Sequence, residues 1–380
     1  MEKPAAVQTE PVRLAAFGFR SLPPQAGSAG SDKFAEELLV RLAQAGFDIT
    51  AYTRIYRKSG RPAGSYRGVK IVGLRTVRAK GFDTLWHSFK ATLHIILRNT
   101  GSVVHVHNGG NSVWALWLRL SGKRVIVTQD GVDWNRDKWP WYGRLFLRMS
   151  TFVTARAPSG VVFDNVFAKE EFEKRFGRRY HFIPYGSESA AVDESRSDVL
   201  RRFGLKPKDY ILFVGRFIPD KGLLYLIRAF ERVKTAKRLV LVGGSPNPSA
   251  YETRIRSTQD DRVVFPGYVY GGDAVVLMKN AYLYVQPSDV EGLSPAILSV
   301  MGLGTPLLCS DIKENVYVVG DTALMFRKGD TSDLAERLEF ALSHEQVLRD
   351  NGARGQRRAL DLFSWEAVTR QYAELFRAAD

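Results

Sequence analysis

DVEGLSPAILSVMGLGTP, residues Asp289 to Pro306, follows the apolar run AYLYVQPS and closes into a helix. A short apolar run bounded by turn residues reads as a buried strand. Glu291, Gly292, a Ser294 placed to cap and Pro295 at the first helical position then describe a strand end, a tight loop and a helix N-terminus. Such a helix start offers free backbone N–H groups to an anion, and in an α/β chain ligands bind in loops at the carboxyl ends of strands. The same residues also fit an ordinary strand-to-helix connection carrying a solvated acid.

Outward from this stretch the α/β pattern continues in both directions. Toward the C-terminus come the strands PLLCSD and TALMF, then helices around TSDLAERLEFALSH, EQVLRDNGARGQRRAL and FSWEAVTRQYAELFRAA. Toward the N-terminus, YILFVGRF, RLVLVGG and RVVFPGYV read as strands separated by helical segments. A polar stretch after Gly186 reads as a linker. Before it a first series runs from RLAAFG through ITAYTR, VKIVGL, VVHVHN, RVIVTQDG and GVVFDN to HFIPYG. No strand of that series is joined to the next by a tight hairpin turn, which predicts a parallel sheet. In FDTLWHSFKATLHIILR, Leu85, Phe89, Leu93 and Ile96 recur at helical spacing and predict a core-facing helix, while its basic and aromatic interleaving also fits a helix lying on a membrane surface. The expected architecture is two doubly wound, Rossmann-like domains facing a central cleft, residues 1–186 and 187–363, with a last helix over 364–378 returning to the first domain. A chain of 380 residues exceeds one core of typical size.

Charge and cysteine use narrow the classes further. Residues 1–200 hold 30 Lys and Arg against 18 Asp and Glu, while 201–380 hold 25 against 22. Within 51–124 there are 14 basic residues and one acid, Asp83. This segment is either a solvated basic face or one that contacts an anionic membrane surface, and no RNA- or DNA-binding module accompanies it. Cys309 alone excludes an intramolecular disulfide and a cysteine-cluster metal site, which fits a reducing compartment. With no apolar run long enough to span a bilayer and no signal-peptide pattern, the expectation is a cytoplasmic protein, peripheral at most at the inner face of a membrane.

Two further features carry chemistry. VGRFIPDKG sets Gly215 and Arg216 at a strand end and Lys221 just before a helix, either a pair of cations suited to a diphosphate or simply a loop arginine and a solvated lysine. Its spacing is not that of a Walker A loop. VDWNRDKWPWYGR gathers three tryptophans beside basic residues, as a substrate platform or an interfacial patch.

In order, GRF…DKG, LVLVGG, PSDVEGLSPAILSVMGLGTPLL and SDIKEN resemble the retaining glycosyltransferases of family four, which have the GT-B fold. The resemblance covers nearly the whole chain. It implies that a nucleotide-diphosphate sugar binds the second domain and a glycan or lipid-linked acceptor mainly the first. It further implies that Arg216 and Lys221 hold the donor diphosphate, that Glu291 contacts the transferred sugar, and that amides around Gly292, Leu293 and Ser294 complete the phosphate site. Where the family places a second, ribose-gripping glutamate, this chain has Ser299, and a serine makes weaker, single hydrogen bonds. Gly30 matches the family's glycine-rich opening, with Ala29 where a first glycine is common. VVHVHN resembles the strand end from which a histidine contacts the reacting sugar, and His107 fits that role better than His105, each having a buried core histidine as its alternative. GFRSLPP, VHVHNGGNS and TQDGVDWNRDKW resemble a narrower branch of rhamnosyl and related transferases of bacterial surface polysaccharides, carried by Asp130, Gly131, Asp133 and Trp134. Asp130 either hydrogen-bonds an acceptor hydroxyl or belongs to a simple turn.

No DxD-type pair or histidine cluster stands at a strand end, so a metal-independent reaction without a cofactor is expected. Two other functions remain: a non-catalytic sugar-nucleotide or glycan-binding subunit of a transferase, for which Ser299 speaks, and a sugar-nucleotide epimerase on the same fold.

Overall fold

The computed structural model describes residues 11–25, 30–56, 64–77, 82–129, 141–187, 198–245 and 249–378. The chain divides into two compact units, Met1–Pro184 with Val368–Asp380, and Tyr185–Ala367.

The first unit is built on an eight-stranded sheet of β1 (Arg13–Phe17), β2 (Asp48–Ile55), β3 (Ser65–Tyr66), β4 (Val69–Arg75), β5 (Val103–His107), β6 (Arg124–Gln129), β7 (Gly160–Phe163) and β8 (His181–Phe182). Their order is β3-β4-β2-β1-β5-β6-β7-β8. Connections run through α1 (Gly30–Gln44), α2 (Phe82–Arg98), a 3₁₀ turn over Gly109–Trp114, α3 (Ala115–Leu120), α4 (Trp141–Arg156) and α5 (Val166–Phe176). The central strands are buried almost throughout, as strands covered by helices must be. Ala15, Phe17, Val104, Val106, Val125 and Val127 form the sheet side of one core.

The sheet is parallel as expected except at its edge, where β3 pairs antiparallel with β4, Ser65 against Lys70 and Tyr66 against Val69. Arg67 and Gly68 both take positive φ, 47° and 88°, the backbone a two-residue hairpin requires. The pairing is only two residues long, too short to leave a sequence pattern. The stripe predicted by Leu85, Phe89, Leu93 and Ile96 faces inward only in part: Leu85, Phe89 and Ile96 are half-buried, Ile96 packing against the core, and Leu93 is exposed. His87, Ser88, Ala91, Thr92 and Ile95 are the fully buried residues, and Ser88 finds a partner inside, donating to Asn111 Oδ1 at 2.8 Å.

The second unit carries a six-stranded, wholly parallel sheet of β9 (Tyr210–Arg216), β10 (Arg238–Gly244), β11 (Val263–Gly267), β12 (Leu283–Gln286), β13 (Leu307–Ser310) and β14 (Leu324–Phe326), ordered β11-β10-β9-β12-β13-β14. Around it lie α6 (Asp198–Arg202), α7 (Leu223–Arg232), α8 (Ala250–Arg256), α9 (Gly271–Asn280), α10 (Pro295–Gly302), α11 (Lys313–Val319), α12 (Thr331–Ser343) and α13 (Glu345–Phe363). Strand order reverses between β9 and β12, which begin and end the crossover through β10 and β11, so the loops after these two strands flank a topological switch point. The core packs Ile211, Phe213, Leu241 and Val285 against Leu226, Phe230 and Leu338.

The last helix, α14 (Trp365–Arg377), sets Tyr372 and Phe376 against His105 in the first unit, with ring centroids 5.5 and 5.2 Å away. Phe376 also meets Phe47, and Arg124 donates to the Leu375 carbonyl at 2.5 Å.

Candidate functional site

The loops at the switch point of the second unit converge on one carboxylate. After β9 the chain passes Arg216, makes a 3₁₀ turn over Pro219–Lys221 and reaches Gly222 at φ 65°. A side chain at Gly222 would lie 2.1 Å from both the Pro287 carbonyl and the Tyr225 hydroxyl, so only glycine lets this loop press against the end of β12. The Asp289 amide donates to the Asp220 carbonyl at 2.9 Å and ties the two loops together. Tyr225 donates to the Pro287 carbonyl and, at 2.8 Å, to Asp289 Oδ1. Burial, then the Asp289 carboxylate, push its phenol pKa well up.

This approach brings Lys221 Nζ to 2.5 Å from Glu291 Oε1. Gln286 Nε2 and Ser288 Oγ donate to the same oxygen, each at 2.6 Å. Tyr284 donates to Gln286 Oε1 at 2.9 Å and so orients the amide, while Ser310 donates to the Ser288 carbonyl and Asn315 donates to Ser310 Oγ. Glu291 Oε1 is thereby saturated, and Oε2 makes no hydrogen bond among the described residues. A carboxylate held on one oxygen keeps the other for a ligand hydroxyl.

Beside Glu291 the helix α10 begins. Ser294 caps it, accepting from the Ile297 amide at 3.4 Å, and Pro295 takes the first position. Gly292 is exposed, with open space where a side chain would stand, while Leu293 anchors the loop from a buried position. The partial positive charge of the helix start therefore faces an uncluttered surface. Ser299 lies further along α10, half-buried, and its hydroxyl makes no hydrogen bond among the described residues.

Arg216 stands exposed at the end of β9, beside the end of β10. Gly215 and Gly243 are register partners there, and a side chain on Gly243 would meet the Gly215 carbonyl at 1.8 Å. Ser245 fastens this corner, donating to the Phe217 carbonyl at 2.6 Å. Next to it Tyr268 and Tyr270 stack, centroids 5.8 Å apart and planes 3° from parallel, both rings exposed. Burial raises the Tyr268 phenol pKa, and the positive charge of Arg216 opposes that rise. The structure thus brings together Lys221, Glu291, Gly292, Leu293 and Ser294, with Gly215 and Arg216 on the adjacent strand end.

Gln286, Ser288, Tyr268 and Tyr270 did not stand out in the sequence. The only trace of the tyrosines there is a GYVY run directly after a strand.

In the first unit, His107 ends β5 fully buried, with Phe19, Phe34 and His105 around its ring at 5.2, 5.9 and 4.1 Å. Burial holds its pKa down at about 3 and that of His105 well below the usual value, so both are neutral imidazoles at neutral pH. His105 Nε2 pairs with Thr128 Oγ1 at 2.7 Å, whereas His107 Nε2 is buried without a partner among the described residues. The backbone on either side is tightly determined. Gly18, at φ 109°, approaches so closely that a side chain would sit 2.1 Å from the His107 carbonyl, and Asn108 takes φ 70° and receives the Gly110 amide on Oδ1. Gly30 opens α1, and two residues on, the buried Asp32 accepts from the Arg20 amide at 2.6 Å, fixing the loop after β1. Asp130, Gly131, Asp133 and Trp134 lie outside the described residues.

A family model described as Glycosyltransferase Family 4 matches residues 29–188, and one described as Glycosyl transferases group 1 matches 208–344. The O-antigen chain mannosyltransferase B of Escherichia coli is 28% identical over 185 residues, 47% of this chain and 48% of that protein. The chain aligns with about half the length of the curated relatives it matches. Among solved structures, sucrose-phosphate synthase from Thermosynechococcus elongatus superposes with a TM-score of 0.80 at 21% identity, covering 96% of this chain and 98% of that one. Anabaena HepE, solved with UDP and glucose, does so at 0.76 and 16% identity, covering 95% and 98%. Both share the fold of two parallel-sheet domains.

Proposed function

The chain belongs to the GT-B glycosyltransferases, and from that premise we propose that it moves a hexose-type sugar from a nucleotide-diphosphate donor to a glycan or lipid-linked acceptor, with retention at the anomeric carbon and without a metal. One observation carries this reading: Lys221, Glu291 and the start of α10 meet at the switch point of the second unit, with Arg216 on the neighbouring strand end. In it, Arg216, Lys221 and the amides around Gly292 to Ser294 neutralise the leaving diphosphate. Such stabilisation is commonly the largest catalytic contribution, about 3 kcal/mol for one donor. Glu291 Oε2 accepts from a sugar hydroxyl, and for His107 the family resemblance implies a sugar contact. Attack then occurs on the face the diphosphate leaves, and the departing phosphate takes the acceptor's proton, so no enzyme nucleophile is needed.

Tyr268 and Tyr270 offer an aromatic surface beside Arg216 for a nucleobase, whose stacking on an aromatic ring contributes about 1–3 kcal/mol. HepE, solved with UDP, supports a nucleotide donor, and the E. coli O-antigen enzyme supports a surface polysaccharide as product. Mannose is suggested by that relative, rhamnose by the motifs around Asp130 to Trp134. The basic segment 51–124 suits electrostatic contact with an anionic membrane bearing the acceptor. A second reading, a donor-binding subunit without turnover, is favoured by Ser299, whose hydroxyl replaces a carboxylate at the ribose position. Incubation with a panel of sugar nucleotides tests both readings: an enzyme releases nucleoside diphosphate from its donor, a binder is only stabilised by it.

A further inference from the structure

We propose that the first unit inserts the outer face of α4 into the headgroup region of an anionic bilayer. The helix turns large apolar residues outward. Its buried residues are small, Ser150, Thr151, Thr154 and Ala155, and half-buried Leu147 packs against the same cluster as Ala155; Thr154 Oγ1 lies 2.5 Å from Ser112 Oγ and Ser150 bonds the Gly109 carbonyl. Its outward residues are large and apolar. Trp141, Leu145, Met149 and Phe152, at steps of four, four and three, form one stripe and are 72, 52, 61 and 56% exposed. A helix facing only water has the opposite arrangement, and contiguous exposed apolar patches mark surfaces meant to be covered.

The neighbouring helices also carry exposed apolar side chains. Packed against α2 and α4, α3 exposes Trp117 and Leu120, and the outer side of α2 exposes Trp86 and Leu97 above its buried His87, Ser88 and Thr92. The charge identifies the occupant. Arg144, Arg148 and Arg156 border the stripe, all exposed, and Arg156 lies over the Phe152 ring at 4.1 Å. No Asp or Glu occurs from Thr84 to Gln129 or within α4. Arginines whose stems lie along apolar side chains while their guanidinium groups reach lipid phosphates are the chemistry of an interfacial helix. A second copy of this chain does not suit the face, since a two-fold contact would press the same arginines together. Among the described residues no helix is long and apolar enough to cross a membrane, so the contact is with one leaflet.

This inference deepens the membrane reading of segment 51–124 and rests on it for the charge of the lipid. It replaces attachment by charge alone with insertion by named side chains. The test is flotation of the full chain with vesicles of phosphatidylcholine, with or without about 30% phosphatidylglycerol, at about 0.05 M and about 0.5 M salt. The wild type should float with the anionic vesicles and keep a salt-resistant fraction. Leu145→Ser/Met149→Ser/Phe152→Ser should lose that fraction and bind roughly tenfold more weakly at low salt. Arg144→Gln/Arg148→Gln/Arg156→Gln should lose the preference for phosphatidylglycerol. All six residues are exposed, and circular dichroism with the single variant Leu145→Ser controls for folding. Wild type fully released at high salt, an apolar variant that floats like wild type, or a chain that ignores vesicles and dimerises through this face would each overturn the proposal. Flotation needs no sugar donor, so its failure and that of the transferase reading are read separately.

Discussion

Lys221 Nζ and Glu291 Oε1, seventy residues apart in sequence, meet at 2.5 Å at the switch point of the second unit. Both side chains are largely buried, 16 and 8% exposed, so the pair is structural as well as chemical. Lys221→Ala leaves Glu291 with its bonds from Gln286 and Ser288 but no cation, and should cost about 1–3 kcal/mol of stability. Arg216 is exposed and makes no hydrogen bond among the described residues, so Arg216→Ala should change stability by no more than about 0.5 kcal/mol. Turnover should fall at least about a hundredfold in both. Urea denaturation beside donor turnover checks the contrast, and an Arg216→Ala enzyme of normal rate would count against the diphosphate role.

Tyr268 and Tyr270 are solvent-facing, and their replacement removes little from the core. Tyr268→Ala/Tyr270→Ala should weaken binding of a nucleoside diphosphate by about tenfold or more while leaving the urea midpoint nearly unchanged. Calorimetric titration with UDP and GDP measures it, and equal affinity in variant and wild type would remove the tyrosines from the site.

Ser299 sits on α10 with an uncommitted hydroxyl and partial exposure. A carboxylate there could accept from two ribose hydroxyls through charge-assisted bonds, so Ser299→Glu should tighten donor binding roughly tenfold. A 2′-deoxyribose donor should show no such gain. If both donors respond equally, the residue is not at the ribose.

Protonation of the buried histidines gives a pH dependence of definite sign. Burial lowers His107 and His87 to about 3 from an ordinary value of 6.5, and His105 is lowered as well. The unfolded chain therefore takes up protons below about pH 6.5 that the folded chain refuses. Their contribution is complete above about pH 6.5 and is lost as the pH falls toward 3. His107→Gln should flatten the decline of the urea midpoint between about pH 6.5 and 4, and an unchanged slope would show that the imidazole is not shielded as described.

The alternating strands and helices, the parallel core of each sheet and the start of α10 were legible, because buried strands leave continuous apolar runs and Ser294–Pro295 leaves a local capping signal. The two-residue strand β3 was not, being too short for periodicity to register. The donors around Glu291 were also hidden. Gln286 and Ser288 read as an ordinary strand end, and their role depends on the β9 and β12 loops meeting, which Gly222 permits. Periodicity gave α2 an apolar stripe but not which side faces the core. Ser88, bonded to Asn111, and Thr154, beside Ser112, place polar side chains among the apolar ones on the inner faces of α2 and α4, where an apolar pattern does not look for them. The positions Asp130 to Trp134 lie outside the described residues, so the acceptor side rests on resemblance.

The most direct measurement is donor turnover: nucleoside diphosphate released from a panel of nucleotide sugars by the wild type and by Arg216→Ala, Lys221→Ala and Glu291→Gln, each first shown to be folded. The account predicts that one donor is consumed by the wild type and that each variant is slower by at least about a hundredfold. A wild type that binds a donor in the same assay yet releases nothing, or variants that turn it over at the wild-type rate, would contradict it.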